Sequence, residues 1–349
     1  MSALTLRRSG EKLMKPYRNL SLHSTNQPTL ICHRHSSVAY FSRASFSRSR
    51  STPASPVSIK SNCQDPPGFL RTGSRAGQRR SATSTTMIEN GQSQRLQALL
   101  THDLLEELSS LWFQHVVDEQ DLVVPSQDSM MHWFRKNEAF DQACSAKFRQ
   151  TLEQTKSLNV TGEAILNAVQ PRSSLEWIQL IVLLDQIPRN IYRGEESRIV
   201  FTIFDPIAQH IAQAATAAGA DSHPLVRYRI GHRMWFTMPF MHSEDPTMHQ
   251  KAVELIESMA RDVRSVANSQ EDVGNGLDEN NQELQKCKTI IVSKRDAAVK
   301  LCESQLEFEI KHKDIIDKFG RYPHRNGPLG RGTTTDEQEF LDGGGDTFG

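Results

Sequence analysis

Three short stretches gather side chains able to hold an anion or move a proton. LLDQIPRNIYRG, Leu183 to Gly194, sets Asp185 beside Arg189, Asn190 and Arg193. MPFMHSEDPTMHQ, Met238 to Gln250, carries His242, Glu244, Asp245 and His249. FGRYPHRNGPLGR, Phe319 to Arg331, carries Arg321, His324, Arg325, Asn326 and Arg331. Guanidinium groups grip carboxylates and phosphates through paired N–H bonds. A histidine titrates close to neutral pH and can pass a proton in either direction. Brought together, the stretches would make a polar pocket with His324 or His242 as acid or base. Asp185, Arg189, Asn190, Arg193, Glu244, Asp245, Arg321, Arg325 and Asn326 would then be its binding groups.

Each stretch also has a purely structural reading. Asp185 and its arginines could be an ion pair fixing a turn, and Glu244 and Asp245 stand where a helix begins and acids are favoured. His242 and His249 with those acids do not match a metal spacing such as HExxH, so no metal site is assigned. No GxSxG elbow, P-loop or GxGxxG is present, which leaves the common hydrolase and nucleotide mechanisms without support and the cofactor unknown. Five cysteines, Cys32, Cys63, Cys144, Cys287 and Cys302, form neither CxxC pairs nor an even framework, so no disulfide scaffold is expected.

The elements that must position these groups are helical. Expected helices span Leu96 to Val117, Asn137 to Ser157, Ser173 to Gln186, Glu195 to Phe204, Asp205 to Ala217, Pro224 to Thr237, Asp245 to Ala267 and Leu284 to Phe319, the last with a break near Lys294. Pro188 is expected to end its helix at about Gln186, which leaves Asp185 in a last turn whose dipole disfavours a carboxylate. Asp205-Pro206 and Asp245-Pro246 read as N-caps followed by a proline at the first helical position. SSLE at Ser173 and TTDE at Thr334 read as capping boxes, and Gly320 as a left-handed C-cap. No run of alternating β-branched residues suggests a strand, so the class is all-α.

Charge divides the chain of 349 residues. Residues 1–88 hold 14 Lys and Arg against two acids, and the remainder carries the compensating negative charge. That leader is rich in Ser and Arg and poor in core-forming residues, and is expected to be disordered. Its first twenty residues place Leu6, Leu13, Tyr17 and Leu20 opposite a basic face, the pattern of a mitochondrial presequence; a cytoplasmic protein initiated at Met87 is the alternative. A helical domain is expected over 95–349, interrupted by the polar, acidic linker NSQEDVGNGLDENNQ at 268–282. A nucleic-acid partner is not expected, because the ordered part is acidic. No membrane span is expected, because no apolar run approaches 18 residues.

LWF at Leu111, WFRKNEAFD at Trp133, LLDQIPRNIYRG, FMHSED, FGRYPHRN, LGRGTTTDEQEFL and the terminal GGDTFG together resemble the mainly bacterial family catalogued as domain of unknown function 924. Ile187 stands where that family usually has phenylalanine, and the leader and the 268–282 linker lie outside the common pattern. The resemblance implies a tetratricopeptide-like stack of antiparallel helix pairs around a concave face, and no particular chemistry. Two functions follow from the residues. One is a site for an anionic small molecule built at the helix ends. The other is an interaction module holding a protein partner on its concave face.

Overall fold

A computed structural model describes residues 91–269 and 279–348. The basic leader with its candidate presequence, and residues 270–278 of the acidic linker, lie outside the described residues. Among the described residues every regular element is helical. The longer helices are α1 (His102–Trp112), α2 (Glu138–Ser157), α3 (Ser174–Ile191), α4 (Asp205–Ala217), α5 (Pro246–Asn268), α6 (Glu279–Ser293), α7 (Arg295–Phe319) and α8 (Thr335–Asp342). None is long and apolar enough to cross a membrane.

α3 is the centre. Leu180, Ile181, Val182, Leu183, Leu184 and Ile187 are all buried, so this helix is apolar around its circumference and must be surrounded. α1, α2 and α4 surround it. Each such side chain contributes roughly 1.5–3 kcal/mol on burial. α5 and α7 pack on each other and, with α6, bury Met259, Val263, Cys287, Ile291, Ala298 and Cys302 in a second cluster. A third and smaller cluster joins Ile315, Ile316 and Tyr322 to Phe319, Phe340 and Phe348.

Local chemistry explains most boundaries. Asp245 caps α5 by accepting from the Thr247 amide at 2.8 Å, with Pro246 at the first position. Thr334 and Glu337 form the full reciprocal capping box of α8. Gly320 closes α7 at φ 68°, a conformation in which a Cβ would be strained. Lys294 separates α6 from α7, at the expected break. At α3 the capping box forms by half. Ser173 Oγ accepts from the Glu176 amide at 3.2 Å, while the Glu176 carboxylate turns to Arg172.

Four expectations are corrected. Helix α3 does not stop at Gln186 but runs on to Ile191 with Pro188 inside it. Pro188 has no amide to give the Leu184 carbonyl, and on the next residue the Arg189 guanidinium holds the turn by donating from Nη1 to the Asp185 carbonyl at 2.8 Å. The segment from Pro224 to Thr237 is not one helix but short turns, Pro224–Arg227, Ile230–Arg233 and Met234–Phe236. The first expected helix is interrupted where Thr101 caps α1. Residues 279–282, read as linker, belong to α6.

Candidate functional site

A carboxylate inside the most buried helix has to be neutralised where it stands. Asp185 is fully buried, and three groups meet it. His242 Nδ1 lies 2.8 Å from Oδ1, Gln186 Nε2 donates to Oδ2 at 2.6 Å, and Arg189 Nη1 is 3.5 Å from Oδ1. Burial on its own would raise the Asp185 pKa. His242 and the Arg189 guanidinium outweigh it and hold the carboxyl below its ordinary range. His242 moves the other way: burial, then the Arg189 charge, push it down, so the ring is neutral at pH 7. A carboxylate can only accept, which places the His242 proton on Nδ1 and leaves Nε2 as the basic nitrogen. Nε2 has no hydrogen-bond partner among the described residues, and 14 % of the side chain stays accessible.

Asp205 completes the cluster, and it departs from expectation. It is not an N-cap. Its backbone is helical, its side chain caps nothing, and the chain runs into α4 through a π-helical turn, Val200–Phe204. Pro206 has no amide to give and its ring presses on the carbonyl four residues back. The wider turn absorbs that clash within a continuous helix. The carboxylate is thereby aimed inward, where Arg189 Nη1 donates to Oδ1 at 2.7 Å and Arg325 Nη1 stands 3.5 Å from Oδ2. Arg325 also donates to the His242 carbonyl at 3.0 Å and lies between the rings of Phe201 and Tyr322, 4.4 and 4.6 Å from their centres. Two donors of this cluster remain unused although buried: Arg189 Nη2 and Arg325 Nε.

A second network adjoins the first through Tyr322. Glu244 accepts from the Tyr322 amide at 2.9 Å and from Arg331 Nη1 at 2.6 Å. Burial would raise the Glu244 pKa, and the Arg331 hydrogen bonds bring it down. Arg331 Nε donates to Asn326 Oδ1 at 3.0 Å, and Asn326 Nδ2 donates to Glu337 at 3.2 Å. Arg321 pairs with both oxygens of Glu337 at 2.6 and 2.9 Å. Those hydrogen bonds lead, against burial, in holding the Glu337 pKa at about 2. Its folded value is thus below its ordinary 4.5, so the stabilisation is complete above about pH 4.5 and is lost as pH falls towards 2. Amide exchange in α8 should accelerate across that window, and at a higher pH in Arg321→Met. Identical profiles for the two proteins would contradict this role.

The remaining candidates lie apart. Asn190 and Arg193 both turn to Asp141 on α2, at 2.8 and 3.0 Å. Asp245 is an exposed cap. His324 sits against the C-terminal segment, with burial and Arg325 driving its pKa down to about 4. Nor does Arg321 reach Asp185: its guanidinium pairs with Glu337 on α8. Sequence reasoning missed Asp205, hidden by a cap-like Asp-Pro, and Asp141, whose one signal is its place at the end of WFRKNEAFD. A cleft of about 340 Å³ lies elsewhere, lined by Thr155, Lys156, Thr161, Thr202, Pro206 and His210 among others. It includes none of the candidates.

The family model described as a bacterial protein of unknown function, DUF924, matches residues 108–345. The solved structure of ATU0120, a protein of unknown function from Agrobacterium tumefaciens, is similar at 24% identity. The match covers 70% of this chain and 99% of that one, with a TM-score of 0.45. No curated protein matches the chain.

Proposed function

The chain belongs to the DUF924 family of bacterial proteins, and from that premise we propose that the Asp185, His242, Arg189 and Arg325 cluster is an acid–base site for a small molecule bearing an anionic or carbonyl oxygen. The observation that carries the reading is the pairing of one partnered and one open nitrogen on His242. Asp185 fixes the Nδ1–H tautomer at 2.8 Å, and Nε2 is left free to take a proton. A carboxylate in that position orients the ring and stabilises the imidazolium once the proton arrives. The unused donors on Arg189 and Arg325 supply what an oxygen acceptor needs, since guanidinium N–H groups bind such atoms strongly in a place shielded from water. Two arginines against two aspartates leave the cluster near neutrality, so binding one further negative charge leaves the positive imidazolium favoured.

The test is nuclear magnetic resonance of the full chain, following the His242 ring while inorganic phosphate or acetate is added. The expected result is a saturable shift, with the His242 pKa rising by about one unit or more as the bound charge stabilises imidazolium. In Asp185→Asn the rise should shrink and the tautomer preference should weaken. A His242 ring that titrates identically with and without every such anion would overturn the reading.

A further inference from the structure

The motif residue left unexplained by ion pairing is His324. Beyond α8, the chain turns back through Gly343, Gly344 and Gly345 and lays Phe348 into a slot between α7 and the Tyr322–His324 turn. The floor of the slot is the His312 ring, stacked on Phe348 with centroids 3.5 Å apart and planes 20° apart. Its walls are edges: Phe308 at 5.3 Å and 81°, Tyr322 at 6.2 Å and 79°, His324 at 6.4 Å and 81°. One stacked face and three perpendicular edges is the arrangement that aromatic quadrupoles favour around a flat guest.

Two features distinguish this slot from ordinary core. First, the guest is lightly held. Phe348 is only half-buried, Phe308 remains 46 % exposed, and the ion pair tying the segment down, Lys311 to Asp346 at 3.9 Å, is exposed on both sides. Second, the lining has polar capacity that a phenyl ring cannot use. Neither buried ring nitrogen of His324 makes a well-formed hydrogen bond, the Phe348 backbone alone lending one of them weak support, while His312 Nδ1 is already committed to the Phe308 carbonyl at 2.8 Å. Buried polar atoms are normally satisfied, and a histidine with hydrogen-bonding capacity to spare beside a hydrocarbon guest is a mismatch of guest and slot. A planar ring with a donor or acceptor on its edge would stack on His312 as well as Phe348 does and would also engage His324.

We propose that the Phe308, His312, Tyr322 and His324 slot is a binding site for a planar heteroaromatic ring, and that the chain's own Phe348 fills it in the absence of that ligand. The slot adjoins the acid–base cluster through Tyr322, which Arg325 covers at 4.6 Å.

The experiment uses Phe348→Ala in the full chain, which vacates the slot without touching a helix. Two probes are added: the peptide Gly-Asp-Thr-Phe-Gly and free adenine. Ring-current shifts of the His312 and Tyr322 protons report occupancy. The expected result is saturable binding of the peptide, its displacement by adenine, and adenine binding at least ten-fold weaker to the wild-type chain, where the tail competes. Should Phe348→Ala fold poorly, Asp346→Lys loosens the same segment with Phe348 retained, and adenine should bind it more tightly than wild type. Three outcomes overturn the proposal: neither probe shifts the slot protons of a folded variant, the peptide binds and adenine does not displace it, or adenine binds all chains equally.

Discussion

Asp205→Ala should lower the stability of the protein by about 3–5 kcal/mol, the range for removing one partner of a buried ion pair, and by roughly 10 °C in melting temperature. The carboxylate is shared by Arg189 at 2.7 Å and Arg325 at 3.5 Å, and each would lose a charge it cannot recover from water. Arg189 would keep Asp185, at 3.5 Å, and its carbonyl. Arg325 would keep the carbonyl of His242 and the rings of Phe201 and Tyr322, but no carboxylate within ion-pair distance among the described residues. Asp205→Asn preserves the shape and one acceptor and removes the charge, so it should cost less, about 1–3 kcal/mol. Chemical denaturation of the three proteins checks the ordering. Equal losses for alanine and asparagine would mean that space and not charge is what Asp205 provides. Arg193→Ala is the natural control, because that guanidinium is exposed and its acceptor Asp141 keeps the Asn190 amide.

Why Asp205 escaped a reading of the sequence, and Asp185 did not, has a physical explanation. Asp185 interrupts an unbroken apolar run, Ile181 to Leu184 and then Ile187, and an acid there demands partners wherever the helix ends. The demand was legible although the reason first attached to it, a dipole-disfavoured last turn, fails because α3 continues to Ile191. Asp205 precedes a proline, and that pair usually opens a helix. Phe204, Ile207 and Ala208 are buried where α4 packs on α3, and a helix continued through Pro206 keeps them there. That decision is tertiary, and local propensity carries no trace of it. Caps behave differently. Asp245, Thr334 and Gly320 do locally what their types predict, because each satisfies backbone groups within one turn of itself. The all-α class was legible for the same reason, since apolar period and caps are both local signals. Which basic residue meets which acid was not, because those pairings span up to 120 positions, as between Arg325 and Asp205.

Arg325→Met decides between a structural network and a binding site. The substitution keeps an apolar stem between Phe201 and Tyr322 and removes the guanidinium. Asp205 retains Arg189, so the loss of stability should be moderate, about 1–3 kcal/mol, and smaller than that of Asp205→Ala. The informative quantity is how the melting temperature responds to phosphate. A ligand that binds only the folded chain stabilises it by about 2.7 kcal/mol at one hundred times its dissociation constant. If the unused Arg325 Nε is a ligand donor, that increment should fall to about 1.4 kcal/mol or less at the same phosphate concentration, the consequence of a ten-fold or greater loss of affinity. If the guanidinium serves only to tie the Tyr322–Asn326 turn to α4, the baseline drops and the increment persists in full. The two roles therefore move different observables, and they do so in one protein. Lysine at this position is a sharper probe still. It restores the charge beside Asp205 but not the planar group that lies between two rings and carries a second N–H donor towards the interior. Recovery of stability without recovery of the phosphate response in Arg325→Lys would assign the ligand contact to the guanidinium itself.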